Sequence, residues 1–439
     1  MYPNLLQPRV IEKSSCSHCR FCGEPLKFTL VDLGSQPPCE SFIGPEQKNQ
    51  KESVYPLHVY VCNKCFLVQL EEFVAPKKIF TEYAYFSSYS KTWLDHAKKY
   101  AEMIVKKLAL DQNSQVVEIA SNDGYLLQYI KQKGIPVLGV EPAANVAKVA
   151  AEKGIPTLVK FFNLETSLEL VKENKKADLI IGNNVLAQVP DLNGFIDGMK
   201  TLLKPSGVIT MEFPHLLRLI EENQFDTIYH EHFSYFSLVT VEKIFAYHGL
   251  KIYDVETLST HGGSLRIYAR HIDDKDPSKT VAINVAKLRS KEKLAGLTNL
   301  ETYVSFSEKV KEIEKSLKDF LLTLKRNKKT IVGYGAPGKG NTLLNSCGVS
   351  ADLLEYTVDK NPYKQGKFLP GTHIPILLPD RIKETKPDYV LILPWNIKEE
   401  IINQTSYIGE WGGRFVVPIP RVTVFDVNGV EIPILDDPL

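Results

Sequence analysis

The sequence predicts an α/β protein in three parts: a small cysteine-rich unit at the N-terminus, a central doubly wound parallel sheet, and a Rossmann-like α/β domain at the C-terminus. Three observations carry this reading. Six of the seven cysteines fall within the first 65 residues. From Gln115 onward, apolar runs alternate with helical periodicity through QVVEIASNDGYLLQYIKQKG, IPVLGVEPAANVAKVAAEKG and ADLIIGNNVLAQVPDLNGFIDGMK, as strands and helices do around a parallel sheet. The last third opens on a second strand and glycine turn, TIVGYGAPGKGNTLLN. A chain of 439 residues is too long for one ordinary core, and the expected divisions are 1–78, 79–280 and 281–439.

Composition narrows the class. With 44% hydrophobic and 24% charged residues the chain is globular, and Lys+Arg 53 against Asp+Glu 52 leaves a net charge of +1 with no basic cluster, which argues against nucleic acid as a partner. No apolar run approaches the roughly 20 residues that span a bilayer, and MYPNLLQPRVIEKSSC lacks the basic start and apolar centre of a signal peptide. A cytoplasmic protein without a membrane partner is therefore expected, and in a reducing compartment clustered cysteines point to metal before disulfides.

CSHCRFCG and VCNKC place Cys19 and Cys22 in one CxxC and Cys62 and Cys65 in another. Four thiolates in two such knuckles can surround one Zn²⁺ tetrahedrally, and the spacer holds the alternating apolar residues of a hairpin, as in YPLHVYVC. Cys16 is a rival ligand, His18 a substitute, and Cys39 stands alone. A saturated four-sulfur site leaves no open position for substrate, so the zinc is expected to be structural. The following segment, IFTEYAYFSSYSKTW, offers Tyr83, Tyr85, Ser87, Ser88 and Tyr89, either as a linker packing its aromatics or as a lid over a polar ligand.

In the central sheet Glu118 lies inside the first strand and Glu141 at the end of the second. Ligands of such sheets bind at the carboxyl ends of the strands, where a carboxylate takes the hydroxyls of a ribose. The turn EIASNDG lacks the GxGxxG that a pyrophosphate requires, so the order fits an S-adenosylmethionine (SAM) methyltransferase better than an NAD domain. The expected cofactor residues are Glu118, Ala120, Asn122 and Gly124 at the first turn, Glu141 and Pro142 at the second, and Asn183 and Asn184 at the third.

FDTIYHEHFSYFS then crowds Tyr229, His230, Glu231 and His232 together. A strand would separate tyrosine and glutamate from the histidines, whereas a loop lets all four converge, as a metal half-site, a base with its orienting partner, or a polar loop. HGLKIYDVETLSTHGGSLRIYARH reads as an insertion with a hairpin, its tight turn at His261. Between Glu301 and Leu324, apolar residues at Tyr303, Phe306, Val310, Ile313, Leu317, Phe320 and Leu324 predict one long amphipathic helix bridging two domains. Gly333, Gly335 and Gly338 have GxGxxG spacing with Asp359 about 20 residues on, a dinucleotide fingerprint that also fits any pyrophosphate, including that of a nucleotide sugar; Lys339 adds positive charge.

The motifs CRFCG, CNKC, EYAYFSSYS, VVEIASNDG, GVEPAANVA, NNVLAQVPD, FDTIYHEHFSYFS, THGGSLR, GYGAPGKGNTLLN and LPGTHIPI, in this order and over nearly the whole chain, resemble the nucleotide-sugar C-methyltransferases, the family of the kijanose and mycarose C-3 enzymes. The resemblance implies SAM-dependent methylation of the carbon beside the ketone of a dTDP-linked 4-keto-deoxysugar, through an enolate. It implies His232 as the base, Tyr229 and Glu231 beside it, and Tyr83 closing from the N-terminal side; His230 is read as supporting these groups from behind or as structural. It also implies a C-terminal domain that completes the nucleotide-sugar site, where Gln188, His261, Gly335, Lys339 and Asn341 are the expected substrate contacts. One departure stands out: NNVLAQVPD carries Gln188 where the family often has histidine, so a hydrogen-bond donor replaces a proton carrier. An NAD oxidoreductase fused to a methyltransferase is a rival reading, and a zinc-ribbon nucleic-acid-binding methyltransferase, disfavoured by the charge balance, is another.

Overall fold

The computed structural model describes residues 17–77 and 86–433, so Cys16, Tyr83, Tyr85 and the expected division at 78/79 lie outside the described residues. In the N-terminal unit β1 (Phe28–Gln36) and β2 (Tyr55–Val61) pair antiparallel, with β3 (Val68–Leu70) on the other side of β2. Leu57, Val59 and Val61 are fully buried while His58 and Tyr60 between them are only partly so, the period-two pattern the hairpin required. Each CxxC ends in the same tight turn. The Gly23 N–H donates to the Cys19 carbonyl and the Phe66 N–H to the Cys62 carbonyl, both at 2.9 Å, and both donors sit in the left-handed region.

The central sheet opens with five parallel strands: β4 (Val116–Ile119), β5 (Val137–Val140), β6 (Thr157–Leu158), β7 (Ala177–Asn183) and β8 (Leu203–Pro214). The chain then leaves this sheet. FDTIYHEHFSYFS passes through a turn and ends in β9 (Ser234–Tyr235), which pairs antiparallel with β3 of the N-terminal unit. It returns through β10 (Leu250–Leu258) and β11 (Ser264–His271), giving the order β10-β11-β8-β7-β4-β5-β6. The hairpin expected as an insertion is thus part of the central sheet, with β11 antiparallel to β8. Its sequence explains why: every residue from Ser264 to Arg270 is buried, so the strand has no face for water and needs cover on both sides.

A third sheet runs β12 (Ile331–Tyr334), β13 (Thr357–Val358), β14 (Ile376–Leu377), β15 (Tyr389–Ile392) and β16 (Arg414–Val417) in parallel, then β17 (Thr423–Phe425) and β18 (Glu431–Ile432) antiparallel, in the order β14-β13-β12-β15-β16-β17-β18. The predicted long helix is two, Leu300–Val304 and Phe306–Arg326, meeting at Ser305. There the Ser305 and Ser307 hydroxyls donate to the Thr302 and Val304 carbonyls, local bonds that compete with the helical ladder. All seven apolar positions are buried as expected, in a core shared by β1–β3, the stretch Leu216–Tyr235 and the third sheet. Helix Ile283–Leu294, expected to open the C-terminal domain, instead packs Val285 and Leu288 into the core of the central sheet. Among the described residues no helix is long and apolar enough to cross a membrane.

Candidate active site

The thiols of Cys19, Cys22, Cys62 and Cys65 lie within 4.8 Å of one another, with Cys19–Cys65 and Cys22–Cys62 sulfurs at 3.5 Å. Sulfurs bound at about 2.3 Å around a tetrahedral Zn²⁺ stand at similar separations. Gln69 Nε2 donates to the Cys19 sulfur at 3.2 Å, the kind of outer hydrogen bond that orients a thiolate. His18 takes no part, and Cys39 lies elsewhere.

A cavity of about 690 Å³ opens at the carboxyl ends of β4, β5, β7 and β8, where the three units meet. On the central-sheet side, Ala120 and Asn122 hold φ of 55° and 47°, with Gly124 at 76°. The EIASNDG turn therefore follows a glycine-turn path with alanine and asparagine at two of its three left-handed positions. Glu141 accepts the backbone N–H groups of Asn122 and Ala143, both at 2.9 Å, which fixes its carboxylate at the cavity edge. Ser87 donates its N–H to Asn122 Oδ1 at 3.0 Å and Lys153 ties Asp123 to the Ser88 hydroxyl, so this end of the hydroxyl-rich segment sits on the turn. Phe161, Phe162, Val185 and Phe195 give an apolar wall.

The opposite wall is the loop of FDTIYHEHFSYFS. Tyr229, Glu231 and His232 line the cavity, while His230 turns away to the Tyr55 carbonyl at 3.2 Å. The His232 N–H bonds the Tyr229 carbonyl at 2.9 Å, closing the turn, and the two rings lie 4.1 Å apart. His232 Nδ1 donates to the Thr227 carbonyl at 3.1 Å, which leaves the lone pair on Nε2. Burial drives its pKa down to about 4, so the ring is neutral at pH 7, and burial with Glu40 nearby lifts Glu231 to about 8, so its carboxyl is mostly protonated. His261 is also drawn down to about 4, chiefly by burial, and its Nε2 accepts from Asn184 Nδ2 at 2.9 Å. Behind it Glu212 holds Thr260 and His96, each at 2.9 Å, and Arg266 at 2.5 Å. Although burial opposes it, His96 and Arg266 pull Glu212 down to about 2.

Comparison with known proteins identifies the assembly. Residues 93–255 match the family model "Methyltransferase domain", residues 259–420 "C-methyltransferase C-terminal domain", and residues 19–80 "Putative zinc binding domain". C-methyltransferase NovU of Streptomyces niveus is 36% identical over 410 residues, covering 93% of this chain and 97% of that protein. The chain belongs to the C-methyltransferase family. More partial likenesses include a ubiquinone biosynthesis O-methyltransferase of Bartonella tribocorum, 30% identical over 100 residues, covering 22% of this chain and 40% of that protein. The crystal structure of magnesium protoporphyrin IX methyltransferase from Synechocystis with bound SAM aligns at 17% identity and a TM-score of 0.30, covering 40% of this chain and 80% of that one.

This C-methyltransferase takes SAM as its cofactor and carries structural zinc on its four cysteines. The residues present fit both. The left-handed turn brings backbone to the cavity with nothing larger than a methyl group at position 120, the carboxylate of Glu141 is fixed at the cavity edge where ribose hydroxyls could be held, and Phe161, Phe162 and Phe195 line an apolar part of it that could take a purine.

Of the site residues expected from sequence, Ala120, Asn122, Glu141, Pro142, Asn183, Asn184, Gln188, Tyr229, Glu231, His232, His261 and Lys339 line the cavity. Four do not. Glu118 is wholly buried beside Tyr125, and burial pushes its pKa well above the carboxylate range. Gly124 packs against Ile155 and Gly335 against Pro394, each supplying a positive φ to its turn. Asn341 donates to the Cys39 carbonyl at 2.5 Å and so ties the N-terminal unit to the third sheet. Tyr83 lies outside the described residues. Cys39, Glu40, Trp93 and Lys364 line the cavity without having been expected there. The glycine turn of β12 brings Cys39 and Glu40 in from the N-terminal unit, a tertiary contact with no local signal.

Proposed function

We propose that the enzyme methylates the carbon beside the ketone, C-3, of a dTDP-linked 4-keto-deoxysugar, in the making of branched sugars. The observation that carries this reading is His232: a neutral imidazole with its free nitrogen on the cavity shared with Glu141 and Asn122. The burial that keeps this imidazole neutral also weakens it as a base, so removal of the proton beside the ketone depends on stabilisation of the enolate oxygen; the carbon nucleophile that results is what C-methylation needs. His232 takes the proton on Nε2. Glu231, protonated at neutral pH, and Tyr229, whose pKa burial raises well above its usual value, are hydrogen-bond donors beside it. Gln188 donates to and orients the sugar without moving a proton. Trp93 and the phenylalanine wall keep water from returning a proton to the carbanion. When bound, SAM supplies a sulfonium methyl open to in-line attack by carbon, its S–C pair leaving with sulfur.

The test is mass spectrometry of enzyme, SAM and a panel of nucleotide 4-ketosugars, with a gain of one methylene expected. Exchange of the substrate's α-proton with solvent deuterium should precede methylation and fall about 10²–10⁴-fold in His232→Asn. Full exchange in that variant removes His232 as the base, and no C-methyl product from any ketosugar removes the substrate class.

A further inference from the structure

The glycine turn after β12 has the spacing of a phosphate-binding loop, but this chain's own acids fill its anion positions. Asp359 spends one carboxylate oxygen on the Ala336 N–H at 2.7 Å and the other on the Asn361 N–H at 2.8 Å. At the start of helix Gly338–Ser346, a β-carbon on Gly338 would meet the Cys39 sulfur at 2.8 Å and Glu40 Oε1 at 3.3 Å, and Glu40 pairs with Lys364 at 3.3 Å. The helix N-terminus, where a phosphate would sit, therefore already faces a carboxylate.

Lys339 turns away from that place. Its Nζ donates to Asn396 Oδ1 at 2.8 Å, lies 4.4 Å from the centre of the Trp395 ring and lines the cavity with Tyr229, Glu231, His232 and His261. Trp395 is held by its N–H to Asp226 Oδ2 at 2.6 Å and packs on Gly262, beside His261. Burial draws the Lys339 pKa down, and Asp226, wholly buried with its other oxygen without a partner among the described residues, opposes that with its charge. The charged and titratable groups bearing on His232 are His261 and Lys339, with the Tyr229 and Tyr235 rings against it. With both imidazoles neutral and Glu231 largely protonated, Lys339 brings to these groups a charge opposite to an enolate's.

We propose that Lys339 stabilises the enolate oxygen, its ammonium donating a hydrogen bond to it, and does not grip the nucleotide's phosphates. This rests on the ketosugar reading. As His232 takes the proton, the C–H pair becomes the new C=C bond and the carbonyl π pair moves onto oxygen, where it meets Lys339. When carbon forms its new bond the pair returns from oxygen, and Lys339 keeps its proton throughout.

The test compares wild type, Lys339→Met and Lys339→Arg in α-proton exchange at saturating ketosugar, in kcat and KM, and in calorimetric binding of thymidine diphosphate. Lys339→Met should lose about 10²–10³-fold in exchange and kcat, while KM and thymidine diphosphate affinity stay within about twofold. Its acidic limb should move to higher pH, since a charge opposing His232 protonation is gone. Lys339→Arg should retain exchange within about tenfold, which excludes simple misfolding. Unchanged exchange in Lys339→Met overturns the inference, as does a tenfold loss of diphosphate affinity with exchange intact. If wild type exchanges no proton from any nucleotide ketosugar, the ketosugar reading fails and this inference with it.

Discussion

Glu231→Gln puts the electrostatics of the reacting loop under direct test. The wild-type carboxyl sits at about 8 because it is buried with Glu40 nearby, whereas in the unfolded chain it would titrate near 4.5. Between those values the folded state holds a proton that the unfolded state does not, so this group lowers unfolding free energy by about 1.4 kcal/mol per pH unit as pH rises. Its contribution is complete below pH 4.5 and lost as pH climbs through 8, a total on the order of 3–5 kcal/mol. Gln keeps the shape and an N–H donor but cannot ionise. Denaturant titrations of both proteins at pH 5, 6, 7 and 8 should therefore show the variant gaining on wild type by about 1.2–1.4 kcal/mol at each step to pH 7 and about 1 kcal/mol from pH 7 to 8, where the folded carboxyl begins to ionise. In the exchange assay wild type should lose activity above pH 8, about tenfold by pH 9, while the variant stays level. Parallel stability curves, or an alkaline limb that survives in the variant, would refute the argument that this carboxyl is protonated and acts as a donor.

Other outcomes follow from the same geometry. Cys62→Ser should abolish zinc binding, read by atomic absorption, and lower the melting temperature, because Cys19, Cys62 and Cys65 are packed into the core of the central sheet. Ala120→Gly should raise stability by about 1 kcal/mol in denaturant titration, since alanine pays for a left-handed φ that glycine adopts freely. Glu292 is buried and accepts the Leu238 and Val239 N–H groups at 2.7 and 2.8 Å and His215 Nε2 at 2.6 Å. Glu292→Ala should thus cost about 3–5 kcal/mol, through the buried Leu238 and Val239 N–H groups left without an acceptor beside the Ser237 cap and through the stranded histidine.

What was legible from residues alone was what local chemistry decides. Two CxxC knuckles need only their spacing to declare a ligand set, and β4 and β7 announce themselves as short stretches rich in valine, isoleucine and leucine, VVEI and ADLIIGN. The loop Tyr229–His232 was readable as a concentration of proton-active groups, though not which three would converge, because the outward turn of His230 depends on the Tyr55 carbonyl of a distant strand. Distance in sequence hid the rest. Nothing near Glu40 foretells Gly338 and Lys364, and nothing near Asp226 foretells the Trp395 indole. The β10–β11 hairpin was visible as a hairpin, yet alternation says nothing about which sheet edge it joins. Left-handed Ala120 was hidden as well, since alanine carries no signature of the strain it tolerates.

The pairing of β9 with β3 has a consequence for how such enzymes can be recombined. The loop bearing His232 ends as the fourth strand of a sheet whose other three come from the first 70 residues, while its start is held by the C-terminal unit, through Thr342 on the Ile228 carbonyl and Trp395 on Asp226. A chimera that imports the N-terminal unit of a relative but keeps its own loop joins two halves of one sheet with different pedigrees. The heritable module is therefore discontinuous, and its pieces should be exchanged as a matched pair.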